Sequence, residues 1–289
     1  MDLDLTLSVT PFVTPFFRSA AMLALFLLMF LVAKYLKRFL TPYNLEHQLT
    51  GKDNLAQATS LAGYYIGFTA VFCGAYLGPS AGLLWDLLAV AGYTLLGMAL
   101  LNLSRILNDR LVFRGFSMVT AIRDHHNVSA GVIQGANYVA SGLVVAGAVH
   151  GEDGGVLTAL VFYLVGQLAL LLFSRLYERL TPYSIHREIG DGNLAAGLGF
   201  GGSMVAIGLV ILASLNGDFV SWSYNLGWLG INLLGVFLYL FLVRCFFDRV
   251  VISHDDLNKE IAEDRNAGAG LLECTLAVSF ATVLFFMIG

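Results

Sequence analysis

Eight long apolar stretches separated by polar segments dominate the pattern along the chain. Each matches the roughly 20 helical residues needed to cross a bilayer core. They predict transmembrane helices at about 14–38, 54–78, 82–107, 127–149, 156–179, 193–215, 221–247 and 266–288. The connections alternate in kind. Gly78-Pro79-Ser80, the run from His150 to Gly155, and Asn216-Gly217-Asp218 are compact turns; those at the opposite ends are longer and charged.

The pattern is written twice. Leu40-Thr41-Pro42-Tyr43, leading to Asn54-Leu55-Ala56, recurs as Leu180-Thr181-Pro182-Tyr183 leading to Asn193-Leu194-Ala195. Arg105, Asp109 and Arg110 recur as Arg244, Asp248 and Arg249, and Asn127 and Gly131 as Asn266 and Gly270. The expected fold class is therefore all-α: a polytopic membrane protein of eight transmembrane helices in two four-span repeats, residues 14–149 and 156–289. Four spans return the chain to its starting side, so the repeats are parallel rather than inverted.

A looser repeat lies inside each half. Asn54, Asn127, Asn193 and Asn266 each open an even-numbered span, as helix caps would. Upstream stand the apolar pairs Leu45/Leu49, Met118/Ile122, Ile185/Ile189 and Leu257/Ile261. Such i, i+4 pairs on polar segments predict short helices lying on the membrane surface. Thr41-Pro42 and Thr181-Pro182 are expected to start two of them as N-cap and first-turn proline, and Ser253 followed by Asp256 to cap the last. Fifteen glycines fall in the even spans and seven in the odd ones. Small residues let helix backbones approach closely in lipid. Even spans are thus expected to form an inner bundle, with odd spans outside it.

Composition sharpens this picture. Hydrophobic residues make up 57% and charged residues 12% of the chain, which excludes an ordinary soluble domain. No basic stripe with interleaved aromatics is present, so no nucleic-acid partner is expected. Fifteen of the sixteen Lys and Arg residues fall on or beside the longer connections, and only Arg18 lies at the other face. By the positive-inside rule the long connections are cytoplasmic and both termini lie outside. The start Met1-Asp2-Leu3-Asp4 lacks the basic region of a signal peptide, so the first run is expected as a retained span. Cys73, Cys245 and Cys274 all sit in apolar runs and are expected as packing residues.

Thr41-Pro42-Tyr43, Asn54, Ala56, Ala58 and Gly63, with Thr181-Pro182-Tyr183, Asn193, Ala195 and Ala196, carry a resemblance. So do Ala130-Gly131 and Ala269-Gly270 after Asn127 and Asn266. The pattern resembles a family of small bacterial inner-membrane proteins known as domain of unknown function 350, typified by the four-span YjfL, here fused in tandem. The resemblance implies an inner-membrane location and, from the family's gene neighbourhoods, a role in envelope maintenance beside membrane-stress proteins. It supplies no catalytic residues. Two fused units also put a simple homodimer in question, since one chain supplies both; a homo-oligomer of the fused chain stays open.

Candidate chemistry is sparse. Glu273 is the acidic residue within span 8, and Gln134 stands at its place in span 4. An intramembrane carboxylate must be hydrated, paired or protonated, so a proton or cation pathway and an interhelical hydrogen bond are its two readings. Asp86, with Asn225 as counterpart, joins Glu273 and Gln134 as a transport candidate, its other reading being a cap in the first turn of its span. Asn102, Asn137, Gln167 and Asn232 are expected to bond between helices or to line a pore. Asn54, Asn127, Asn193 and Asn266 are read as caps or, through four positive helix ends, as receivers of an anionic headgroup or phosphate. Asp124-His125-His126 and His254-Asp255-Asp256 lack matched ligand spacing and are read as solvated loops, with no metal and no cofactor expected. With no nucleophile–base arrangement, the chain is not expected to be an enzyme. Two functions follow: a scaffold or sensor that meets membrane lipid and a cytoplasmic protein partner, or a channel or transporter for a cation or small solute.

Overall fold

A computed structural model describes residues 5–112, 116–150, 155–246, 249 and 256–288, with side chains from residue 15 onward. The turn residues 151–154, and Asp248, Ser253, His254 and Asp255, lie outside the described residues. Among the described residues, eight apolar helices are long enough to span a membrane. They are α1 (Leu5–Leu40), α2 (Leu55–Tyr76), α3 (Leu83–Leu111), α5 (Val128–Val149), α6 (Gly155–Leu180), α8 (Leu194–Leu215), α9 (Trp222–Phe246) and α11 (Ala267–Ile288). A π-helical turn (His47–Gly51) and the short helices α4 (Met118–Arg123), α7 (Ile185–Gly190) and α10 (Leu257–Ala262) occupy the long connections. The chain is a hairpin used four times: outgoing span, short helix, returning span.

The returning spans stand in a row. α2 packs on α5, α5 on α8 and α8 on α11, while α3, α6 and α9 each lie across two neighbours of that row. Glycine sets the spacing. A methyl group on Gly63 would meet the backbone of Gly135, and one on Gly131 the carbonyl of Ala56. Backbones this close maximise dispersion where lipid supplies no hydrophobic drive.

The even-in, odd-out expectation holds with one correction. The row is open, not a closed bundle: α5 and α8 are 78% buried, but the terminal helix α11 is only 17% buried. Each inner helix needs two inner neighbours to be covered, and the end helices have one. Cys73, expected as a packing residue, is exposed for this reason on the free side of α2.

The short helices also differ from expectation. Met118, Ile122, Ile185, Ile189, Leu257 and Ile261 are buried against protein, not laid on lipid. Each of these short helices packs against two neighbouring inner helices: α4 on α2 and α5, α7 on α5 and α8, α10 on α8 and α11. Nor do Thr41 and Thr181 cap anything, because their hydroxyls donate back to the carbonyls of Lys37 and Tyr177. The helix-starting acceptors are Asn44, Ser117, Ser184 and Asp256. Proline biases the residue before it away from helix, so Thr-Pro ends the span instead of opening the next element.

Candidate functional site: two unequal polar clusters

Each return from a short helix to an inner span is built alike. Asp53, His126, Gly192 and Arg265 adopt left-handed backbone (φ 47°, 49°, 82° and 50°), and an asparagine follows. Asn54, Asn127 and Asn193 accept from the N–H three residues on, and Asn266 accepts from Gly268 and Ala269. This satisfies part of the free N–H set at each helix start. The other end of the amide then reaches the next hairpin. Asn54 donates to the carbonyl of Ile122 (2.8 Å), Asn127 to that of Ile189 (2.8 Å) and Asn193 to that of Ile261 (2.7 Å). Asn266 donates instead to Glu260 of its own hairpin (2.7 Å).

Asn54, Asn127 and Asn193 are buried beneath neighbouring short helices, and only Asn266 is exposed. His125 and His126 are exposed on the adjacent loop.

Beneath these latches each half holds one polar cluster. In the second half Glu273, 5% exposed, accepts from the Arg244 guanidinium (2.6 Å) and from the Tyr177 hydroxyl (3.0 Å), both on its Oε1. Arg244 also donates to Tyr177, to Asn258 (3.0 Å) and to Tyr183 (3.4 Å). The second carboxylate oxygen, Oε2, is buried with no hydrogen-bond partner. It lies over Gly199, where any side chain would strike it. A cavity of about 200 Å³ opens beside the cluster, lined by Arg244, Glu273, Ser203 and apolar residues of α6 and α9. Burial pushes the Tyr183 phenol above its ordinary range, against the pull of the Arg244 guanidinium.

In the first half the same positions carry different side chains. Lys37, 3% exposed, donates to the Tyr138 hydroxyl and sits 4.4 Å from the Tyr138 ring and 5.2 Å from the Tyr64 ring. Ring faces so placed attract the amine when it is protonated. Gln134 accepts from Ser60 (2.6 Å), and Arg105 pairs with Asp109 (3.6 Å). Tyr43 donates to Gln57 (2.6 Å), and burial raises its phenol also.

The remaining candidates are placed as follows. Asp86 holds Arg18 (2.9 Å), the hydroxyl of Ser80 and the N–H of Ala81 at the turn end, far from Glu273 along the fold. Asn225 accepts from Val220 and Ser221 in the equivalent turn. Asn137 accepts from Asn108 (2.6 Å) and Gln167 donates to Ser141 (3.3 Å), both between helices. Asn102 bonds instead to Met98 of its own helix, and the Asn232 amide nitrogen is unpartnered.

Sequence reasoning found Glu273 but missed Arg244, Tyr177, Lys37 and Tyr138. The signal was present. Arg105 recurs as Arg244 and Tyr43 as Tyr183, but a repeat marks equivalent places without showing which side chains turn inward.

Residues 11–149 and 153–288 each match the family described as Domain of Unknown Function (DUF350). A UPF0719 transmembrane protein of Aquifex aeolicus (strain VF5) is 23% identical over 255 residues, 85% of this chain and 91% of that protein. No solved structure gives a significant match. With paired units sharing one backbone plan and covering nearly its whole length, the chain belongs to the DUF350 family.

Proposed function

We propose that the protein is a non-enzymatic scaffold or sensor of the bacterial inner membrane, active in envelope maintenance. In this reading the long connections are cytoplasmic, both termini lie outside, and a membrane-stress protein docks on the short helices. The observation that carries it is the run of asparagine latches. Each ties one inner helix to the carbonyl end of the next short helix, so displacement of one short helix is felt along the row. A coupling element of this kind suits signal passage between membrane and loop face. Crosslinking in cells followed by mass spectrometry should recover a partner at 41–53, 108–126, 181–192 or 249–265. Recovery of lipid alone at all four would sink the reading.

A second reading, transport of a cation or small solute, is favoured by the unpartnered Glu273 Oε2 beside its cavity. Protein in liposomes would then give a flux altered by Glu273→Gln. Against it stand the closed Arg244–Glu273 pair and backbone contact between α5 and α8. A flux that is absent for every ion tested removes it.

A further inference from the structure

Every inner helix presents one face forward and one backward along the row. The forward face of α2 sets Ala56, Gly63 and Gly74 on the backward face of α5 at Gly131, Gly135 and Ala146. The forward face of α5 repeats this with Ser129, Ala136 and Ala140 on Gly197, Gly201 and Gly208 of α8. α8 repeats it with Ala195 and Gly202 on Gly270 and Cys274 of α11. The interface is one design used three times.

Two faces of that design are left over. Counting from the cap asparagines, the forward face of α11 is Gly268, Leu272, Thr275, Ser279 and Thr282, all exposed. The backward face of α2 is Ala58, Ala62, Tyr65, Thr69 and Cys73, of which Ala62, Thr69 and Cys73 are exposed and the others half-buried. Both are stripes of mainly small or hydroxylated residues. The lipid-facing side of α1, by contrast, presents Phe16, Phe17, Leu23, Leu27 and Leu31.

The latch is unfinished at the same ends. Asn266 bonds Glu260 of its own hairpin, and among the described residues no cap asparagine reaches Leu49, which occupies the place of Ile122, Ile189 and Ile261. α1, unlike α3, α6 and α9, has an inner helix on one side only.

We propose that copies of this chain join head to tail, α11 of one against α2 of the next, through a fourth use of the internal interface. Asn266 of one copy then meets the Leu49 carbonyl of its neighbour, and α1 lies across the junction. The interface is heterologous, so it propagates until a ring closes or a filament forms. The occupant is a second copy because the two free faces continue the contacts already made within the chain.

The test uses disulfide trapping in cells. Gly63 abuts Gly135, and the matching positions at the free ends are Thr275 and Ala62. Two differently tagged copies, both with Cys73→Ala, Cys245→Ala and Cys274→Ala, would carry Thr275→Cys and Ala62→Cys respectively. The mixed pair should crosslink about tenfold more than Thr275→Cys with Leu164→Cys, because docking raises effective concentration. Crosslinking at the control level, or equally strong 62–62 and 275–275 products, would overturn the proposal. Should the cysteine variants not fold, native mass spectrometry of the unmodified chain in lipid nanodiscs decides. Oligomers lost on Ser279→Trp are expected, and monomer alone refutes it.

Discussion

At the loop end of the first half, Lys37 reaches Tyr138 between two aromatic rings. At the same depth in the second half, Tyr177 holds the place of Lys37 and Glu273 that of Gln134. One half thus buries an amine among phenols, and the other buries a carboxylate under a guanidinium. What stays constant is the arginine on the odd span, Arg105 or Arg244, and the motif tyrosine, Tyr43 or Tyr183. Packing positions tolerate little because backbones touch, whereas a polar cluster accepts different side chains if neighbouring helices supply partners. Burying an ion without such partners is costly.

The largest test of this contrast removes the guanidinium. Arg244→Ala leaves Glu273 buried and unpaired, and should cost about 3–5 kcal/mol in equilibrium unfolding. Gln134→Ala in the other half removes a neutral hydrogen-bond partner of Ser60 and Asp109 but no ion-pair partner, and should cost about 1–2 kcal/mol. Equal losses would mean that the two clusters are not energetically distinct.

Next in size is the shared scaffold. Gly63→Ala and Gly202→Ala, equivalent positions in the two halves, each press a methyl group onto the backbone of the next inner helix. Both should lose about 1–3 kcal/mol. Gly230→Ala on the outer helix α9, where the added carbon meets nothing, should stay within about 0.5 kcal/mol. A thermal-shift series across the three variants would show whether inner and outer rows differ as described.

The latches separate the halves more finely. Asn127→Ala removes a cap and a bond to the following hairpin, and should cost about 2 kcal/mol. For dispersed single copies, Asn266→Ala should cost about 1 kcal/mol, because it removes the cap and an exposed bond to Glu260 but no bond to another hairpin. Matching values would argue that the cross-hairpin bond adds nothing.

Alkaline pH should weaken both clusters. The folded chain holds the Tyr43 and Tyr183 phenols above their ordinary range through burial. Their contribution is complete below the unfolded value of about 10 and is lost as pH rises past it. Tyr183→Phe should flatten the decline in melting temperature above that pH, and an unchanged slope would exclude Tyr183 as its source. The smallest effect concerns the left-handed residue before each cap. Arg265→Gly should gain about 0.5 kcal/mol and Gly192→Ala should lose about 1 kcal/mol, read from denaturant midpoints.

Much of this was legible beforehand. Span number, the tandem repeat, the inner glycine helices and the cap role of Asn54 follow from periodicity and local backbone chemistry. The Arg244–Glu273 pair did not, because nothing local distinguishes an arginine that turns inward from one that faces headgroups. The short-helix pairs went astray similarly: Ile185 and Ile189 predict an apolar face, but whether lipid or protein covers it depends on which inner helices lie beside it.

The sequence by itself determined what each segment is, since hydropathy, glycine placement and capping act within a few residues. Tertiary structure decided what each segment meets. It put Asn127 under the carbonyl of Ile189, opened the row at α2 and α11, and set Glu273 beneath Arg244. Those outcomes depend on which helix faces which across several ångströms, and a one-dimensional pattern carries no direction in space.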